Sequence, residues 1–372
     1  MKILFWISLL TISYTYVGYA LTLSILRRLR PRPSSQRSIT PSVSILIAAR
    51  NEEQRIVTKL ANLRELNYPN NLIQIIVVSD GSTDRTDVFL EEHKDFVVPV
   101  ILPLPMGKAV ALNKGKAFAT GEILVFFDVR QPVHPDAVAE LVSFFSDPEI
   151  GAVSGELILQ SVAGGAANGL GFYWKIEKAI RRLESDTGSV VGVTGAIYAI
   201  RRNLYVDLPA DTILDDVMVP MNVARAGYRV AFNPKALAYD QIFIEQSKEF
   251  SRKVRTLTGN LQLLRLSPWL LTKRNPLLFR FISHKLLRVV APIFLFLMMA
   301  SSALAPGRFY SEIFVFQLIF YCLALVGFIQ PASRKWQPVS IAHTFVILNL
   351  AALIALKNFV AHRTDVWNQH RR

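Results

Sequence analysis

The sequence predicts an α/β domain with a Rossmann-like, mainly parallel sheet, held between an N-terminal apolar anchor and a C-terminal group of apolar helices. Three observations lead there. Between residues 42 and 239, short apolar runs alternate with amphipathic stretches, the pattern of βαβ units. Long uncharged runs stand only at the two ends of the chain. The hydrophobic share of 51% and mean hydropathy of +0.31 exceed what a soluble domain of 372 residues needs.

The first element is the run Ile3 to Leu26, long enough to span a bilayer as a helix. Arg27, Arg28, Arg30, Arg32 and Arg37 follow it, so the positive-inside rule places the next segment in the cytoplasm. A cleaved signal peptide would be shorter and carry its charge on the other flank, so residues 1–28 read as an anchor. The strands then come in order: Val43 to Ala48, Ile73 to Ser79, Val97 to Leu102 and Ile123 to Phe127. Helical stretches such as Glu53 to Leu66 and Lys108 to Ala119 separate them. Residues 42–244 form the catalytic-domain candidate. Residues 245–285, basic and amphipathic with Pro268 and Trp269, read as lying on the membrane interface. Three apolar runs fill residues 286–360: Leu286 to Leu304, Ile313 to Ile329 and Val339 to Val360. Three outbound spans would carry His362, Arg363, Arg371 and Arg372 outside, so the charge rule expects one run to be re-entrant or interfacial.

Formal charge is +14 and the pI is near 9.9, a balance that suits nucleic acid, anionic headgroups or a phosphorylated substrate. The basic residues flank the apolar runs, and no zinc-finger or aromatic-basic RNA pattern occurs, so membrane lipids are favoured over nucleic acid. Cys322, alone and inside an apolar run, forms no internal disulfide.

In a parallel sheet, ligands bind at the carboxyl ends of the strands. The first strand runs into Ala48-Ala49-Arg50-Asn51-Glu52-Glu53, a polar turn whose backbone donors suit a nucleotide or merely cap a helix. The second runs into Ser79-Asp80-Gly81-Ser82-Thr83-Asp84, where Asp80 either receives a ribose hydroxyl or base N–H, or only fixes the turn. Lys108 follows Met106-Gly107 at a helix start and could meet a phosphate, a solvated lysine being the alternative. The fourth strand delivers Asp128, a carboxylate that needs a cation or a donor after so apolar a run.

These pieces, in this order, together with Thr194-Gly195-Ala196-Ile197-Tyr198-Ala199-Ile200-Arg201-Arg202 and Leu214-Asp215-Asp216, resemble the family 2 glycosyltransferases. The resemblance runs from about Val43 to Gln262 and is nearest to membrane-bound synthases of polysaccharide, chito-oligosaccharide and hyaluronan. It implies a GT-A fold and an inverting transfer from a nucleoside-diphosphate sugar, a UDP-sugar by expectation, to a glycan acceptor at the inner membrane. Ala49, Glu52 and Asp80 would then hold the nucleoside, with Lys108 near the donor. Asp128 matches the first acid of the family's DxD motif, implying Mg²⁺ or Mn²⁺. Thr194 and Gly195 would line the acceptor side. Asp216 is preferred over Asp215 as general base, the alternative being that both cap a helix from Met218 to Ala226.

Two departures from the family pattern stand out. The second acid of DxD is replaced by Arg130, which either faces the diphosphate and lessens or replaces the metal, or leaves the metal to Asp128 and another residue. The family's QxxRW becomes Arg252-Lys253-Val254-Arg255-Thr256, with Arg255 on the family's arginine and Arg252 beside it, either for the donor or for headgroups. Two rival functions stay open: sugar transfer to polyprenyl phosphate, and a degenerate nucleotide-sugar binder serving a synthase as accessory subunit.

Overall fold

The computed structural model describes residues 1–160, 168–241 and 246–361. The expectation about His362 and the terminal arginines, and the first residue of the interfacial segment, therefore lie outside the described residues.

Seven strands form one sheet in the order β3-β2-β1-β4-β6-β5-β7. They are β1 (Val43–Ala49), β2 (Ile73–Asp80), β3 (Val98–Leu102), β4 (Ile123–Phe127), β5 (Ile150–Gln160), β6 (Ile197–Arg201) and β7 (Arg229–Gln241). Strands β3, β2, β1 and β4 run parallel, whereas β6 is antiparallel to both β4 and β5. The sheet is thus mixed and mainly parallel, as the alternation of elements implied.

The strands read as unbroken apolar runs because both faces are covered. Val43, Ile45, Ile47, Ile123, Val125 and Phe127 point to one face, beneath α2 (Ile56–Arg64) and α5 (Ala137–Ser143). Leu46, Ile76, Val78, Leu124 and Phe126 point to the other, beneath α4 (Lys108–Lys116) and α7 (Asp215–Arg225). The remaining helix of the first half, α3 (Thr86–Glu92), follows β2. A long helix, α6 (Asn168–Asp186), precedes β6.

Four helices are long and apolar enough to cross a membrane: α1 (Lys2–Leu29), α9 (Leu278–Leu304), α10 (Arg308–Ile329) and α11 (Gln337–Val360). Between β7 and α9 lies α8 (Gln246–Leu266), which carries Arg252 and Arg255 three residues apart and so on one side of the helix. The ends of the chain meet: the Tyr14 hydroxyl lies 2.8 Å from Ser283 Oγ, and the Tyr16 hydroxyl donates to Asn349 at 3.0 Å. Tyr19 and Leu23 pack on Ile180 of α6, joining α1 to the α/β domain.

Candidate active site

The turns after β1 and β2 are built as one unit. Asn51 takes a left-handed conformation at φ 54° and accepts the Thr83 N–H at 2.8 Å. Asp84 accepts the backbone N–H of Glu53 at 3.0 Å and that of Thr86 at 3.0 Å. Burial alone would raise the Asp84 pKa, but the Thr86 hydroxyl and these amides outweigh it and lower it. Glu52, expected at the nucleoside, is paired with Arg55 at 3.0 Å.

Asp80 is buried and accepts the N–H of Met106 at 2.6 Å and of Gly107 at 2.9 Å. It thereby fixes the loop that launches α4. Gly81, at φ 59°, permits this approach, since a Cβ there would stand 2.4 Å from the Pro105 nitrogen. The turn-fixing role considered for Asp80 is present, and each oxygen keeps a lone pair for a ligand.

Because the loop is held, α4 begins with Lys108 aimed into the site. Its ammonium lies 3.1 Å from Asp128 Oδ1 and 3.3 Å from Asp215 Oδ2. Burial works against the charged lysine, but Asp128 and Asp215 prevail and raise its pKa. Lys108 is therefore not the solvated lysine that was the alternative. It ties the end of β4 to the start of α7.

Asp215 and Asp216 open α7, which starts three residues earlier than expected and has Leu214 at its N-cap. Neither acid is the cap. They diverge instead: Asp215 turns to Lys108 and the Tyr198 hydroxyl, which lies 3.5 Å from its Oδ2. Asp216 turns to Gly195, where a methyl group would sit 3.5 Å from its Oδ2. Asp216 Oδ1 is buried and accepts no hydrogen bond among the described residues. Burial first, and then the charge of Asp215, push Asp216 up to about 6, while Lys285, Lys108 and Arg181 pull the other way.

Thr194 and Gly195, expected on the acceptor side, stand beside Asp216. Thr194 Oγ1 donates to the Gly155 carbonyl at 2.8 Å and accepts from Arg181 at 2.6 Å. The Thr194 N–H donates to Ser154 Oγ at 2.9 Å. With its side chain fixed, Thr194 places Gly195 against Asp216.

At the altered DxD motif, Arg130 is engaged within the protein. Its guanidinium meets Asp240 Oδ2 at 2.6 Å, an oxygen that also accepts the Gln131 side-chain amide at 2.9 Å. Asp240, near the end of β7, is buried, so removing its cation would leave an uncompensated buried charge. Beneath the same turn, the buried Lys59 of α2 donates to the Gln131 carbonyl at 2.6 Å. Burial pushes this lysine down to about 7, with Asp128 opposing.

No cluster of three or more His, Cys, Asp or Glu suited to a metal ion occurs among the described residues. Asp128 is the acid at the DxD position, and one of its oxygens faces Lys108. This donor set fits a divalent ion only if the donor diphosphate completes the coordination.

Sequence reasoning overlooked Arg181, Asp240, Lys59 and Lys285. Lys285 stands in the first turns of α9, where the apolar run that follows hid it.

Comparison with known proteins identifies the family and the fold. The model of Glycosyl transferase family 2 matches residues 44–208, and that of Glycosyl transferase family group 2 matches residues 128–330. The chain is 29% identical over 253 residues to Probable glycosyltransferase YdaM of Bacillus subtilis (strain 168), covering 64% of this chain and 60% of that protein. It is 27% identical over 266 residues to poly-beta-1,6-N-acetyl-D-glucosamine synthase of Staphylococcus aureus (strain COL), covering 68% and 63%. The chain thus spans less than two thirds of either relative. A mannosyltransferase from Pyrobaculum calidifontis, solved with GDP-Man and Mn²⁺, superposes with a TM-score of 0.74 over 97% of this chain and 99% of that one. At 21% identity that likeness shows the fold, which is GT-A. The chain belongs to the family 2 glycosyltransferases.

Proposed function

We propose that the protein is an inverting transferase that moves a hexosyl or N-acetylhexosaminyl group from a nucleoside-diphosphate sugar, a UDP-sugar, to a glycan acceptor. The transfer takes place at the cytosolic face of the cell membrane, in cell-surface polysaccharide synthesis. The observation that carries this is Asp216, a carboxylate pushed up to about 6 with one oxygen uncommitted, next to Asp215, which Lys108 bridges to Asp128. A base must stand on the acceptor side and positive charge on the side of the leaving diphosphate.

In this reading the acceptor hydroxyl passes its proton to Asp216 while its oxygen attacks the anomeric carbon. The bond from that carbon to the diphosphate breaks in line, so configuration inverts. Glu52, Asp80 and the backbone at Ala49 receive the nucleoside. Lys108, Arg252 and Arg255 face the diphosphate. Asp128 would hold a Mg²⁺ or Mn²⁺ ion together with the diphosphate, and the ion would add charge neutralisation there. The chain divides as 1–28 anchor, 42–244 catalytic domain, 245–285 interfacial segment and 286–360 spans, with membrane lipids around the last three apolar helices. The arginines after the anchor support the cytosolic placement.

The test is to incubate membranes carrying the full chain with radiolabelled UDP-hexoses, UDP-N-acetylhexosamines and GDP-mannose, then separate lipid from polymer products. Labelled polymer is expected, and Asp128→Ala should abolish it. Label confined to lipid would move the acceptor to polyprenyl phosphate. No transfer from any donor would leave the accessory binder. Titrating Mg²⁺ and Mn²⁺ after chelation examines the ion, and full activity in excess chelator would remove it from the scheme.

A further inference from the structure

We propose that Lys285 is a positioning residue of the transfer reaction: a membrane-span lysine whose ammonium keeps the Asp216 carboxylate ionised. The proposal rests on the reading of Asp216 as the base. Three observations carry it.

The first is placement. A methyl group at Gly192 would lie 3.3 Å from Lys285 Nζ and 3.5 Å from the Asp216 carbonyl oxygen, so the ammonium and the start of α7 both flank Gly192. Lys285 makes no ion pair of its own among the described residues, leaving its charge to act on this site.

The second is that the backbone is shaped to deliver it. Residues Ile282–Leu286 form a π turn within α9, and such single-turn insertions are frequent at functional sites. The flanking residues are clamped to α6 and the loop after it. His284 Nδ1 lies 2.9 Å from Glu184 Oε1, and its Nε2 lies 3.1 Å from Glu177 Oε1. Arg288 donates to Glu177 Oε2 at 2.7 Å, and Arg280 donates to the carbonyls of Ser189 at 2.7 Å and Thr187 at 2.8 Å. Tyr19 of the anchor closes the clamp, donating to Glu184 Oε1 at 2.6 Å. With positions 280, 284 and 288 locked, Lys285 has little freedom to leave.

The third is electrostatic. The charged groups around Asp216 are Asp215 on its own helix, Lys108 on α4, Arg181 on α6 and Lys285 on α9. Burial and Asp215 favour the protonated acid, which cannot act as a base. Among the opposing cations Lys285 has the largest influence, ahead of Lys108 and Arg181. Lys108 is also shared with Asp128 and Asp215. The base of the α/β domain therefore depends on a residue of a membrane span.

The test is the pH dependence of transfer for the full chain in lipid nanodiscs, using the sugar donor that gives most transfer in the radiolabelled panel. Wild type, Lys285→Met, Lys285→Arg and Asp216→Asn are compared between pH 5 and 9. Lys285→Met should move the acid limb up by about one pH unit, from the loss of one nearby charge, and leave the rate at pH 8.5 within about threefold of wild type. Lys285→Arg should return the limb to the wild-type position. A rate lowered equally at every pH, with the limb unmoved, would show that Lys285 only supports packing and overturn the proposal. Activity in Asp216→Asn would sink the base assignment itself, a separate result. Infrared difference spectra of wild type against Asp216→Asn give the carboxyl protonation midpoint without turnover. That midpoint must also rise in Lys285→Met.

Discussion

Replacing Lys108 by methionine should destabilise the catalytic domain by about 3 kcal/mol. The ammonium lies 3.3 Å from Asp215, whose side chain is 8% exposed, and a pair at that distance gains about 5 kcal/mol gross at an effective dielectric near 20. The contact with Asp128 at 3.1 Å adds less than its distance suggests, because that carboxylate is 37% exposed and screened by water. Burying the ammonium costs several kcal/mol, which offsets much of the gain. Deleting one partner, however, leaves Asp215 buried with Asp216 beside it and no cation between β4 and α7, a change that typically costs about 3–5 kcal/mol in a fully buried pair. The lower end applies to this partly open site. For a domain of this size the loss lowers Tm by about 6–10 °C, measurable by thermal unfolding of the full chain in detergent. The Lys108 pKa is raised on folding, so its contribution is complete below the unfolded value near 10.4 and is lost only as pH rises through the higher folded one. The deficit should therefore be constant between pH 7 and 9. A Tm within about 2 °C of wild type, or a deficit that closes by pH 9, would refute the bridging role.

Asp216→Asn should lower transfer by about 100-fold while nucleotide-sugar binding, followed by calorimetry, persists; the wild-type rate should fall as pH drops through about 6. Arg130→Met strips a cation from buried Asp240 and should cost about 2–3 kcal/mol of unfolding free energy, with Asp240→Asn in the same chain returning part of it. Lys59, held at about 7 when folded and near 10.4 when unfolded, binds fewer protons in the native state between those values. Stability should thus rise with pH from about 7 to 10, and Lys59→Met should flatten that rise in pH-dependent melting curves.

How much of the site was legible in the sequence can be followed residue by residue. Asp128 was visible because a carboxylate after Ile123–Phe127 has to stand at the carboxyl edge of a buried strand. Asp215 and Asp216 were visible as a pair, but their division of labour was not. Adjacent residues at a helix start diverge only once α4 brings Lys108 to one of them and Gly195 leaves room for the other. Arg130 shows the limit from the other side. Its position in the motif suggested the diphosphate, whereas its guanidinium pairs with a carboxylate 110 residues away on β7. Local sequence carries no record of such a contact.

What the sequence determined by itself is what depends on local periodicity and composition. Strands β1 to β4 follow from apolar runs of strand length and the apolar helices from uncharged stretches of membrane length, while the GT-A fold was implied by the resemblance of the strand-end motifs to the family 2 glycosyltransferases. The tertiary structure alone decided the antiparallel insertion of β6, the pairing of Arg130 with Asp240, and the delivery of Lys285 to Asp216 by the clamped π turn of α9. The physical reason is range. Secondary structure is set by neighbours within a few residues, whereas the charge felt by a buried carboxylate is the sum over cations from α4, α6 and α9, and only folding brings these together.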